Sequence, residues 1–175
     1  AAWSALDIGT DEDLWGVFAT AGGEVWVVGG DADVGGPLIL RSLDDGASFA
    51  SEPLSVDENP RGATTLFKVW GIEDHLWIVG QRGTLLERQA EGWVFVSGGA
   101  EANQDFVSLH GTRADHVVMA GGRGNARVGV YDGAAWTTLA PSGIGGLNAV
   151  AVLPDDTAIM GGIGGYVGLF DPETA

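Results

Sequence analysis

The chain has 175 residues, 30 of them glycine and none cysteine, and its 24 acidic against 8 basic side chains give a formal net charge of −16. That field disfavours nucleic acid and anionic membrane surfaces and favours cations, basic partners or neutral ligands, and the lack of cysteine excludes disulfides and thiolate chemistry. A hydrophobic content of 45% argues against disorder, and no apolar run is long enough to span a bilayer.

The chain opens AAWSALD, a phrase that returns as AAWTTLA at residues 134–140. Between and beyond these lie short apolar segments. They are LWGVFAT at 14–20, EVWVVGG at 24–30, PLILRS at 37–42 and ASFASEPL at 47–54. The set recurs as LFKVWGI at 66–72, HLWIVGQ at 75–81, TLLERQ at 84–89 and GWVFVS at 92–97. It recurs again as FVSLHGT at 106–112, HVVMAGG at 116–122, RVGVYD at 127–132 and the AAWTTLA phrase. A last round gives LNAVAVL at 147–153, TAIMGG at 157–162 and YVGLFD at 166–171. Rich in Val, Ile, Leu, Phe and Trp and bounded by Gly, Asp, Asn and Pro, these segments read as strands and are too short for helices.

Four strands per unit of about 40–50 residues suit the blades of an all-β propeller, in which stacking buries both apolar faces of each sheet. The predicted blades cover about 14–54, 66–98, 106–140 and 147–171. The fourth has only three strands, so AAWSALD at residues 1–8 is expected to complete it and close a four-bladed ring, with Trp3 in the slot of Phe49, Trp93 and Trp136. The repeated tryptophans are expected to pack between blades, each removing roughly 150–250 Å² from water.

The stretch RSLDDGASF carries Ser42, Asp44, Gly46, Ser48 and Phe49 in the order S-x-D-x-G-x-[ST]-[FW]. It resembles the Asp-box of BNR-like bacterial β-propeller repeats. That resemblance implies a structural hairpin turn away from the ligand face, with Asp44 accepting turn amides, Gly46 at positive φ and Phe49 between blades. It also implies a secreted or cell-surface setting, and the absence of an initiator methionine agrees with a mature or excised piece. Sialidases of this type use six blades, an arginine triad and a tyrosine nucleophile. Here Arg41 and Arg88 sit at similar positions in third strands and look like repeat residues, and Tyr131 occupies the slot of Phe170, so sialidase chemistry is not expected.

Other chemistry is sparse, and no hydrolase elbow, zinc-protease or P-loop motif occurs. His75 and His116 precede equivalent strands and read as surface turn residues. His110 lies on an inner strand, directed either to the channel or between blades. Asp31 and Asp33 are weak candidates for Ca²⁺, lacking the later bidentate glutamate of a calcium loop. Trp15 and Trp70 are candidate stacking platforms.

Strands are committed to packing, so function is expected in loops. The loops entering each inner strand and those joining second to third strands share one face of a propeller, and they differ between units. They carry Asp11, Glu12, Asp13, Asp31, Asp33, Asp57, Glu58, Arg82, Glu101, Asn103, Asp105, Arg123 and Asn125. The expectation is a non-catalytic binding propeller presenting acidic loops to a protein or carbohydrate ligand on the side of the first two blades. Two alternatives stay open: a small metal-assisted hydrolase, lyase or cyclase at the channel mouth, and a structural spacer in a larger surface protein. No cofactor is expected beyond Ca²⁺ in the channel or loops.

Overall fold

The computed structural model describes residues 2–31, 35–97 and 103–172; Asp33 and Glu101 fall outside them. Its strands form four antiparallel sheets, each a blade. Blade 1 contains β1 (Leu14–Ala19), β2 (Val25–Gly29), β3 (Leu38–Ser42) and β4 (Ala50–Ser51). Blade 2 contains β5 (Leu66–Ile72), β6 (His75–Gly80), β7 (Leu85–Gln89) and β8 (Gly92–Phe95). Blade 3 contains β9 (Phe106–Arg113), β10 (His116–Gly121), β11 (Arg127–Tyr131) and β12 (Trp136–Leu139). Blade 4 contains β13 (Leu147–Val152), β14 (Ala158–Gly162) and β15 (Val167–Phe170).

The period-2 alternation of each strand sends successive side chains to opposite faces of its blade. Trp26 and Val28 of β2 face blade 2, where they join Leu66, Val69, Leu76 and Ile78 in one buried core. Trp77 and Val79 of β6 face the other way, into a second core with Phe106, Leu109, Val117 and Met119. Val118 and Ala120 of β10 repeat the move into a third core with Leu147, Val150, Ala158 and Met160. The inner strands accordingly pack in succession, β1 on β5, β5 on β9 and β9 on β13.

Among the described residues there is no fourth core joining blade 4 to blade 1. Residues 2–8 form no strand, blade 4 has three strands, and the Trp3 side chain is 100% exposed. The expected closure by the N-terminal segment within one chain is therefore corrected: the four blades form an open series. Similarity between AAWSALD and AAWTTLA identifies a strand type, and it does not say which sheet receives the strand.

One glycine recurs at the end of every second strand, and close approach explains it. A side chain at Gly29, Gly80, Gly121 or Gly162 would lie within 3.0 Å of the carbonyl oxygen of Asp13, Thr65, Asp105 or Gly146, where the chain enters the inner strand beside it. Those same carbonyls accept the amides of the next residues, from Gly30 at 2.9 Å, Gln81 at 3.0 Å, Gly122 at 2.7 Å and Ile163 at 2.9 Å. The repeat signature thus records a backbone crossing that only glycine permits.

The Asp-box turn forms as its residues suggest. Ser48 donates its amide to Asp44 Oδ1 at 2.9 Å and its hydroxyl to Oδ2 at 2.7 Å, and Ser42 Oγ accepts the Gly46 amide at 2.9 Å. Gly46 has φ +87°. Phe49 departs from expectation. It lies half-buried in a shallow groove with Arg41 and Glu52 and is no member of the blade 1–2 core, because the paired part of β4 is only two residues long.

Candidate functional site

The predicted ligand face is the one where the chain enters each inner strand and where second strands turn into third strands. The crossing described above repeats there in all four blades and gives it a rigid floor. Side chains then build upward unequally.

Arg82 sits at the apex of a one-turn 3-10 helix over Gln81–Gly83, with φ +57°. Its amide donates to Asp105 Oδ1 at 2.9 Å, linking blade 2 to blade 3. The same carboxylate receives Arg123 through Nε at 2.9 Å and Nη2 at 3.0 Å, a two-pronged pair with one partner largely buried and the other exposed. Arg61 reaches over from the loop before β5, donating Nη1 to the carbonyls of Arg82 and Gly83 at 3.1 Å each. Arg123 thus meets Asp105 by its guanidinium and Arg82 by its main-chain amide, while the Arg82 guanidinium turns to the Arg61 carbonyl at 3.4 Å and joins Arg61 to the group. Gln104 joins them by accepting the Arg123 amide at 3.3 Å, with Asn103 beside it at 3.4 Å. Asn125 is exposed on the neighbouring turn.

The acidic residues lie elsewhere on this face. Asp11 and Asp13 are exposed ahead of β1, and Glu12 is half-buried with its carboxylate against Gly35. Asp31 follows β2 and is half-buried. The face is thus divided, with Asp11, Glu12, Asp13 and Asp31 over blade 1 and Arg61, Arg82 and Arg123 beside Asp105 over blades 2 and 3. Sequence alignment carries a signal for this: Arg82 and Arg123 are 41 residues apart, the spacing of blades 2 and 3, while the equivalent residue of blade 1 is Asp31. Arg61 has no such counterpart in the other blades.

Other candidates prove to be packed. Trp70 is half-buried, with Phe18 at 6.4 Å, Trp77 stacked at 6.3 Å and His110 at 5.3 Å between ring centroids. His110 Nδ1 accepts the Val152 amide at 2.9 Å, so this ring bridges blades 3 and 4, and burial, with Lys68 adding to it, holds its pKa below the ordinary histidine value. Trp15 remains exposed, with its ring edge-on to Phe67 at 5.7 Å. His116, expected at the surface, is buried, and its Nε2 lies 3.1 Å from the Asp156 carbonyl oxygen because blade 4 covers that turn. Among the described residues no three His, Asp or Glu side chains gather as a metal-ligand set.

The opposite end of the barrel of blades holds a feature that sequence reasoning missed. A cleft of about 700 Å³ opens between blades 1 and 2, with Phe18, Trp26, Ile72 and Leu76 as apolar lining and Arg41 and Arg88 at its rim. The two guanidiniums lie 4.9 and 5.3 Å from the Trp26 ring and share Glu52, at 3.4 and 3.0 Å. Burial raises the Glu24 carboxyl, but hydrogen bonds from Arg41 and Trp26 outweigh it and hold its pKa below the ordinary value. The sequence suggests Arg41 and Arg88 as repeat residues, and the register corrects this: Arg41 pairs with Trp26 while the counterpart Trp77 pairs with Glu87, so Arg88 lies one residue further along on the opposite face of its blade, and the two guanidiniums meet on Trp26 from facing blades.

No model of a known protein family matches the chain, and no curated protein matches its sequence. Solved structures do resemble it. One is "YCF48 bound to D1 peptide", 19% identical at a TM-score of 0.66, covering 97% of this chain and 53% of that one. YCF48 from Cyanidioschyzon merolae is 16% identical at 0.70, covering 98% and 57%. The computationally designed Ika4 protein is 12% identical at 0.66, covering 97% and 98%. At these identities the likeness shows the fold, that of a β-propeller. The chain spans about half the length of the two YCF48 chains.

Proposed function

We propose that this chain is a protein-interaction propeller that binds a segment of a partner through its loop face, with the group of Arg61, Arg82 and Arg123 receiving an acidic side chain or terminal carboxylate. The observation that carries the reading is the Asp105 carboxylate itself. It is held by one main-chain amide and a two-pronged guanidinium, the arrangement by which proteins recognise a carboxylate, within a cationic patch on a strongly acidic chain. The acidic residues over blade 1 would then favour basic side chains elsewhere in the same partner and set its direction across the face. That one similar structure is of YCF48 with a bound D1 peptide supports a peptide as the kind of ligand.

Panning a random peptide library on the immobilised chain, with a glycan array run alongside, tests this. Enrichment of acidic peptides, weakened by salt and lost in Arg82→Ser and Arg123→Ser proteins that still fold, is the expected result. Binding of glycans alone, or peptide binding indifferent to both substitutions, would overturn it.

A further inference from the structure

The two ends of the blade series are unfinished in complementary ways. On blade 1, Leu14 is 46% and Val17 63% exposed. Their repeat equivalents Leu66, Phe106 and Leu147, and Val69, Leu109 and Val150, are all buried against the blade before them. On blade 4, Val167 is 69% and Leu169 70% exposed, and Ile159 is also exposed. The positions equivalent to Val167 are Ile39, Leu85 and Val128, and those equivalent to Ile159 are Trp26, Trp77 and Val118, all buried against the following blade. One end offers the face a following blade would cover, and the other offers the face a preceding blade would cover.

The N-terminal segment points to the same junction. In AAWSALD, Trp3 and Leu6 stand where Trp136 and Leu139 stand in β12. Leu6 precedes Leu14 by eight residues, as Leu139 precedes Leu147. In blade 3 that spacing carries an outer strand into the inner strand of the next blade, so residues 3–7 have the length and pattern of an outer strand in a blade lying directly before blade 1. Blade 4 lacks such a strand, and β15 has no partner on its outer edge among the described residues.

We propose that two copies of this chain close one ring of eight blades, blade 4 of each copy stacking on blade 1 of the other, and that residues 3–7 of each copy pair with β15 of its partner. The β11–β12 register, with Tyr131 opposite Trp136 and Val128 opposite Leu139, places Trp3 opposite Phe170 and Leu6 opposite Val167 across the two copies. Two identical head-to-tail contacts close around a two-fold axis. About eight blades is within the range that propellers form, whereas three copies would exceed it. Closure removes the exposed Trp3, Val17 and Val167 from water together and leaves no unpaired β15 edge. The inference rests on the end faces and the N-terminal segment and is independent of the loop-face reading.

Light scattering on the 175-residue chain eluting from a sizing column tests it. The expected mass is about twice 18.0 kDa and does not change with concentration. A mass of 18.0 kDa at micromolar protein, or one that grows with concentration as in an open filament, would overturn the ring. Val17→Lys and Val167→Glu should each give a monomer with an unchanged β-sheet spectrum, and the two combined in one chain should restore the dimer, because the equivalents of these two positions share one core at every junction within the chain and each closing junction then brings Lys and Glu together. Failure of that rescue would place the contact elsewhere. Deleting residues 1–8 should weaken the dimer by about tenfold or more, the loss of several cross-strand pairs; an unchanged dimer would remove the strand exchange from the proposal.

Discussion

The Asp105 carboxylate accepts the Arg82 main-chain amide at 2.9 Å across the boundary between blades 2 and 3. A side chain that precedes one inner strand therefore fixes a loop of the preceding sheet, and the arginine pair above it inherits that position.

Asp105→Ala should accordingly act on two properties. Loss of an amide bond to a charged acceptor and of a partly exposed ion pair predicts destabilisation of about 1–2 kcal/mol, read from the denaturant midpoint. It should also weaken binding of any acidic peptide selected by the loop face, because Arg82 and Arg123 lose their common anchor. Asp105→Asn keeps an acceptor for the Arg82 amide, so it should recover most of the stability but not the paired geometry of Arg123. Equal stability of Asp105→Ala and the parent chain would show that the link between blades rests on packing alone.

Gly121→Ala and Gly124→Ala provide a matched comparison within one loop region. A side chain at Gly121 meets Asp105 backbone from within 3.0 Å, whereas none lies within 4 Å of the corresponding position at Gly124. The Gly121 variant should lose about 3 kcal/mol or more, the range of strained backbone substitutions, and the Gly124 variant should change by about 0.5 kcal/mol or less. Thermal melts of the two proteins decide it; similar midpoints would mean the backbone crossing relaxes at little cost.

The repeated glycine is also the clearest case of what sequence made legible. A geometric need that recurs in every blade leaves a recurring letter, and so the strands, their order and the glycine-ended second strand were all readable. The Asp-box was readable for a related reason: its hydrogen bonds run among residues within four positions of one another. Features built between blades left weaker traces. His116 looks like His75 in sequence, yet one is covered by Asp156 of the next blade and the other is half exposed, stacked on Trp77 with centroids at 5.3 Å. The gathering of Arg61 with Arg82 combines a unique loop with a repeated one, and a repeat alignment registers only the second. Ring closure failed as a reading for the same reason, since strand type is a local property and the identity of the neighbouring sheet is not.

Asp44 gives the Asp-box turn a pH signature. Hydrogen bonds from Ser48 and then Ser42 hold its pKa at about 2, against 3.8 ordinarily. A carboxyl depressed in the folded state contributes stability that is fully present above its unfolded pKa and is lost as pH falls through the folded value. The contribution should therefore decline between pH 3.8 and about 2. Asp44→Asn should lower stability near neutrality and flatten that acid limb in urea titrations taken at successive pH values. A variant whose acid limb parallels the parent's would assign the loss to other carboxylates, Asp132 and Asp156 being the next to test, as hydrogen bonds from Ala135 and from Thr112 respectively depress them also.

His110 yields the opposite experiment near neutrality, since its imidazole must stay uncharged to accept the Val152 amide at 2.9 Å. Burial, reinforced by Lys68, lowers its folded pKa beneath the ordinary 6.5. The unfolded chain then binds the proton more readily, so stability from this residue is complete above pH 6.5 and falls as pH drops through the lower folded value. His110→Leu removes both effects: it leaves the Val152 amide without its acceptor, at a cost of about 1–2 kcal/mol, and should abolish the pH slope just below neutrality. His110→Gln should restore much of the stability, because its side-chain oxygen can accept the amide, while leaving the slope absent. Retention of the slope in either variant would show that it does not come from His110, and an unchanged midpoint in His110→Leu would mean the bridge from blade 3 to blade 4 depends on the third core rather than on this ring.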